Sequence, residues 1–99
     1  MEIWKDIKGY EGLFKVSNRG RVLSLKYRGI ENNEKIMTQT PDGDGYLRVG
    51  LRKEGKTKIV KVHRLVAEAF IENKEGLPVV NHKDEDKTNN NVENLEWFL

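Results

Sequence analysis

The sequence predicts an α+β fold made of small antiparallel β-hairpins and one helix, and three observations carry that prediction. Short alternating apolar and polar runs are separated by Gly and Asn turn signals. Only one segment shifts to helical spacing. The chain has 99 residues, so it forms one small domain, or two very small modules sharing a core, with little material for the walls of a deep pocket.

The elements follow in order. Glu2–Gly12 reads as an extended segment and turn punctuated by Gly9 and Gly12. Leu13–Val16 and Arg21–Leu25 are strands joined at Asn18-Arg19-Gly20, where Asn and Gly tolerate positive φ. Residues 26–45 are polar and turn-rich, a loop or linker with one short strand around Lys35–Thr38. In Tyr46–Arg52 the apolar Leu47, Val49 and Leu51 fall on one face, with Tyr46, Arg48 and Arg52 on the other. The turn Lys53–Lys56 leads into a strand over Thr57–Val62, where Ile59, Val60 and Val62 blur the alternation. His63–Ile71 is the helix, with Leu65, Val66, Ala69 and Phe70 on one side, and Gly76-Leu77-Pro78 ends that unit. Val79–His82 is a short strand, Lys83–Asn91 a polar loop, and Val92–Phe98 holds a last brief strand.

Composition excludes several classes. Without Cys there is neither a disulfide framework nor a thiolate zinc site, which fits a reducing compartment. No apolar run approaches the roughly 20 residues of a membrane helix. Met1–Tyr10 mixes Trp and Ile with Lys, Asp and Glu, unlike a signal peptide. There is no Gly-x-Ser-x-Gly elbow for acyl transfer and no Gly-rich loop opening a helix around a phosphate. The net charge of +2 hides a balance of +1 over residues 1–45, +6 over 46–65 and −5 over 66–99. A basic strand pair points to a polyanion, and the alternative is two solvated faces that attract one another.

His82 is the most informative residue. It follows two β-branched residues and precedes a polar loop, so its imidazole stands at a strand end and can take a proton from water. Asn81, Asp84, Asp86, Asn90 and Asn94 supply nearby oxygens that suit Mg²⁺, Mn²⁺ or Ca²⁺ rather than zinc. The spacing does not fit an EF-hand. On spacing alone a turn built from Asx residues, capped by His82, explains the same pattern. His63, the only other histidine, reads as a satisfied structural residue, and Trp4 and Trp97 as core or edge anchors.

Further residues carry a resemblance. Asp44–Val49, Val62–Ile71, Val80–Asp84, Lys87–Asn90 and Asn94-Leu95-Glu96-Trp97 resemble the HNH homing-type endonucleases of phage and intron origin. Trp4–Gly12 with Val16–Val22 resembles the nuclease-associated DNA-binding motif that precedes such nucleases. The two likenesses run in the family's order over nearly the whole chain. They imply a division into a DNA-binding motif at 1–26, a linker at 27–45 and a nuclease region at 46–99.

The resemblance implies a ββα-metal core and metal-dependent hydrolysis of a phosphodiester bond in double-stranded DNA. His82 would activate water, Asn81 would ligate a divalent metal (Mg²⁺ or Mn²⁺), and Asn94 and Asn90 would orient the loop. Arg48, Arg52, Lys56, Lys58, Lys61 and Arg64 would track phosphates, with Arg19, Arg21 and Lys26 positioning the duplex. The family's last metal ligand sits on a helix after the second strand, and the sequence stops at Leu99 before it. Metal retention is therefore expected to be weak or lost. Two alternatives stay open: a DNA-binding module without catalysis, and a protein-interaction domain, including self-association. The resemblance also implies no membrane partner and the cytoplasm of a bacterial or phage-infected host cell.

Overall fold

Alternation in the sequence becomes register in the structure, a computed structural model describing residues 1–99. Strands β1 (Trp4–Asp6), β2 (Phe14–Ser17), β3 (Val22–Ser24) and β4 (Lys35–Ile36) form one antiparallel sheet in that order. Strands β5 (Thr40–Pro41), β6 (Leu47–Lys53) and β7 (Lys56–Lys61) form a second, and β8 (Val79–His82) pairs with β9 (Leu95–Phe98). The single α-helix, α1, spans Val62–Phe70, and 3₁₀ turns occupy Tyr27–Gly29 and Val92–Asn94. The α+β class is the one the hairpin signals and the lone helical segment predict.

Three details differ from the sequence reading. The segment 27–45 holds two short strands rather than one, because Lys35–Ile36 extends the first sheet while Thr40–Pro41 turns away to extend the second. The strand expected at Thr57–Val62 starts one residue earlier, pairing Lys56 with Lys53. Its last residue belongs to α1, since Val62 is fully buried in the first helical turn.

The core is one cluster with α1 at its centre. Ile7, Phe14, Val16 and Val22 come from the first sheet and its turn, Val49 and Leu51 from β6, and Val80 and Leu95 from β8 and β9. Val62, Leu65, Val66 and Ala67 of α1 face them, and α1 touches β2, β6, β7, β8 and β9. A nine-residue helix is too short to persist alone. Burying its apolar side chains, at about 1.5–3 kcal/mol for each large one, is what holds it. Trp97 closes its far end: the indole Nε1 donates to the Ile71 carbonyl at 2.9 Å, and the ring lies under the Arg64 guanidinium.

The turn between β2 and β3 reaches across to the last part of the chain. Ser17 Oγ accepts from the Arg19 and Arg21 amides at 3.1 Å each, which shapes the turn. The Asn18 carbonyl accepts from the Val92 amide at 2.8 Å. Gly20, at φ +83°, presses so closely on Asn90 that a Cβ there would stand 2.7 Å from the Asn90 Cβ. No helix is long and apolar enough to cross a membrane.

Candidate active site

Strand alternation places Val80 and His82 on the buried face of β8 and Asn81 on the opposite one beside exposed Val79. His82 is 5% exposed, and its Nε2 lies 2.7 Å from Asn90 Oδ1. With the Asn90 amide oxygen as acceptor, Nε2 is assigned the proton and Nδ1 the lone pair, and Asn90 Nδ2 is left buried without a partner.

The loop after His82 is held by its own amides. The Asp84 amide donates to Asn94 Oδ1 at 3.1 Å, while Asn94 Nδ2 donates to Asp84 Oδ1 at 2.9 Å and to the Asn89 carbonyl at 2.8 Å. Asn89 Nδ2 donates to Asp84 Oδ2 at 2.8 Å. Bonds from Asn89, the Asp86 amide and Asn94 hold the Asp84 carboxyl below its usual range. Asp86 is likewise engaged by Thr88, through both amide and hydroxyl. Asp84 thus accepts through both of its oxygens within the loop, whereas Asp86 accepts through Oδ1.

On the other face of the hairpin, Asn81 lies opposite Glu96, and its Nδ2 donates to Glu96 Oε2 at 2.9 Å. That leaves Asn81 Oδ1 beside a carboxylate, both hard oxygen donors of the type that Mg²⁺ takes together with water and phosphate oxygens. No cluster of three or more His, Cys, Asp or Glu side chains suits a metal. Glu96 is absent from the sequence-based set, although the β8–β9 register pairs it with Asn81.

Behind His82 stands a group of rings that spacing does not reveal. His63, in the first turn of α1, is 7% exposed and centres 5.1 Å from His82. Tyr46 stacks on His63 at 4.9 Å and lies 5.9 Å from His82. Burial, with His82, Lys61 and Arg64 nearby, pushes the His63 imidazole down to about 4, against the opposing pull of Asp42. His63 is buried, as a structural histidine should be, but it is not satisfied: its Nδ1 has no partner. Tyr46 is fixed by the preceding turn, where Asp42 Oδ1 accepts from the Asp44 and Tyr46 amides. Lys61 and Lys87 both approach its ring, at 5.0 and 4.8 Å.

The basic residues divide between faces. Register puts Arg48 directly opposite Lys61, and Arg52 opposite Thr57, on the outer face of the β6–β7 hairpin with exposed Ile59. Lys56 and Lys58 fall on the other face, opposite Lys53 and Leu51. Arg64 is drawn inward, donating to the Pro78 carbonyl at 3.0 Å. In the first sheet Arg19 is exposed, whereas Arg21 forms an ion pair with Glu2 that holds the Glu2 carboxyl down to about 2. Lys26 pairs with Glu31 at 3.4 Å. A cavity of about 660 Å³ lies between Leu13, Phe14, Tyr27 and the β6–β7 turn, away from His82.

Known proteins resemble the chain over nearly its whole length. Residues 2–52 match the NUMOD4 motif and residues 60–98 match an HNH endonuclease domain. The chain is 51% identical over 94 residues to DNA endonuclease I-HmuI of Bacillus phage SP01, covering 95% of this chain and 51% of that protein. It is 44% identical over 101 residues to the uncharacterized HNH endonuclease L247 of Acanthamoeba polyphaga mimivirus, covering 97% of this chain and 23% of that one. A solved structure described as DNA binding and cleavage by the HNH homing endonuclease I-HmuI superposes with a TM-score of 0.84 at 49% identity, covering 97% of this chain and 52% of the other. The chain thus spans about half the length of I-HmuI and less of the viral relative.

Proposed function

Because the chain belongs to the HNH endonuclease family, we propose that it binds double-stranded DNA and hydrolyses a phosphodiester bond in it, with His82 as general base. The observation that carries this reading is the bond from His82 Nε2 to Asn90 Oδ1. It keeps the proton on one nitrogen and the base on the other, so Nδ1 takes a proton from water as the water oxygen bonds to phosphorus. The bond from phosphorus to the leaving oxygen then breaks. Asn90 and Asn94 act by holding the loop, and Lys61 and Lys87 bring positive charge near the phosphate.

HNH endonucleases are metal-dependent, and here a hard cation, Mg²⁺ or Mn²⁺, fits Asn81 Oδ1 and the Glu96 carboxylate. Bound there, it would polarise the phosphoryl oxygens as a Lewis acid. The outer face of the β6–β7 hairpin, with Arg48, Arg52 and Lys61, and Arg19 on the first sheet are the phosphate contacts this reading favours. The division into a DNA-binding motif at 1–26, a linker at 27–45 and a nuclease region at 46–99, and a place in the host cytoplasm, belong to the same proposal.

The test is plasmid nicking with Mg²⁺ or Mn²⁺ beside duplex binding. His82→Ala should abolish nicking and leave binding intact. Unchanged nicking would remove His82 from the role of base.

A further inference from the structure

We propose that His63 is a positioning residue for His82: with Tyr46 it forms an aromatic bracket that fixes the plane of the His82 ring. The proposal deepens the reading of His82 as general base and rests on it.

Hydrogen bonding does not explain His63. Its Nδ1 is buried without a partner, and a buried polar atom in that state is uncommon enough to need a reason. What the ring contributes is its faces. One meets Tyr46 with 27° between planes, and His82 lies 5.1 Å away at 48°, both within the range of aromatic contact.

The bracket does what the Asn90 bond alone does not. A single hydrogen bond to Nε2 fixes a direction and leaves the ring free to turn about it. Contact with neighbouring rings removes that freedom, and it keeps Nδ1 aimed one way. Placement follows from the fold, with His63 set by the first turn of α1 and Tyr46 by the Asp42 turn.

The chain has two histidines, so any His63 variant leaves His82 as its only imidazole. The test compares His63→Phe, which keeps an aromatic plane without nitrogens, with His63→Leu, which keeps bulk without a π face. In ¹H–¹⁵N spectra the wild type and His63→Phe should show His82 as the Nε2–H tautomer alone, and His63→Leu should show exchange between both tautomers. Single-turnover nicking at saturating DNA should fall about tenfold in His63→Leu, the size of a lost aromatic contact, with DNA affinity unchanged and the rate recovered in His63→Phe. Tyr46→Leu should act in the same direction and serves where His63→Leu does not fold. A His82 spectrum unchanged by His63→Leu, or Leu and Phe variants that behave alike, overturns the bracket. If instead His82→Ala still nicks while the tautomer shift is seen, the base assignment falls and the bracket stands.

Discussion

Replacing Gly20 with Ala tests how closely the first sheet supports the candidate base. The new Cβ would lie 2.7 Å from the Asn90 Cβ and 3.0 Å from the Asn90 carbonyl oxygen, and neither atom belongs to a flexible side-chain end. Two effects add. Holding a non-Gly residue at φ +83° opposes folding by about 1–2 kcal/mol. Forcing extra volume into a closed contact adds about 1–3 kcal/mol. The sum, about 2–5 kcal/mol, is a large share of the roughly 5–15 kcal/mol that a small domain has. Gly9→Ala is the control, because Gly9 has φ +87° but nothing within 4 Å of where its methyl group would sit, so it carries the backbone cost alone. Urea unfolding of both variants should separate them by the cost of the contact. The His82 imidazole spectrum should move in Gly20→Ala and stay in Gly9→Ala, since Asn90 shifts only in the first. Equal stabilities together with an unmoved His82 signal would refute the claim that this turn braces Asn90.

Two further outcomes are expected. Neutralising Arg48, Arg52 and Lys61 together should lower the slope of log affinity against log salt by about one per side chain, and neutralising Lys56 and Lys58 should change it less; duplex titrations from low to physiological salt check this. Stability should also depend on pH through His63, whose imidazole is near 4 when folded against an ordinary 6.5. Between those values the unfolded chain binds the extra proton, so stability rises with pH across that window by up to about 1.4 kcal/mol per unit. The slope should shrink in His63→Phe, as urea midpoints from pH 4 to 7 will show.

The parts legible in the sequence are those governed by neighbours along the chain. The alternation of Leu47, Val49 and Leu51 places Arg48 and Arg52 on the face where register puts them, and the change of period after His63 marks α1 to within a residue. Where the meaning of a residue depends on distant chain, the sequence is silent. Lys56 and Lys58 look like members of the basic strand pair, yet pairing around the Lys53–Lys56 turn sends them to the other side. Arg21 looks like a free cation until Glu2, from the segment before β1, meets it. Asp84 looks like a ligand, but both of its oxygens already accept from the Asp86 amide, Asn89 and Asn94. The contacts that define the site, Gly20 on Asn90 and Tyr46 and His63 around His82, join segments with no shared local pattern. Glu96 was within reach of pattern reading, since a hairpin that ends on His82 must set something opposite Asn81.

The central position of α1 bears on how such chains can be recombined. Its residues come from the stretch matched to the nuclease domain, yet Phe14, Val16 and Val22 on the other side of the contact come from the stretch matched to the NUMOD4 motif. The two are therefore not beads on a string. A graft that swaps the first stretch for that of a relative inherits a half-socket for a helix it did not grow with. It also inherits a turn that must leave the Asn90 backbone room. Exchange is workable only where the donor brings both an α1-shaped apolar surface and a glycine at the position of Gly20, so the two stretches travel here as a fitted pair.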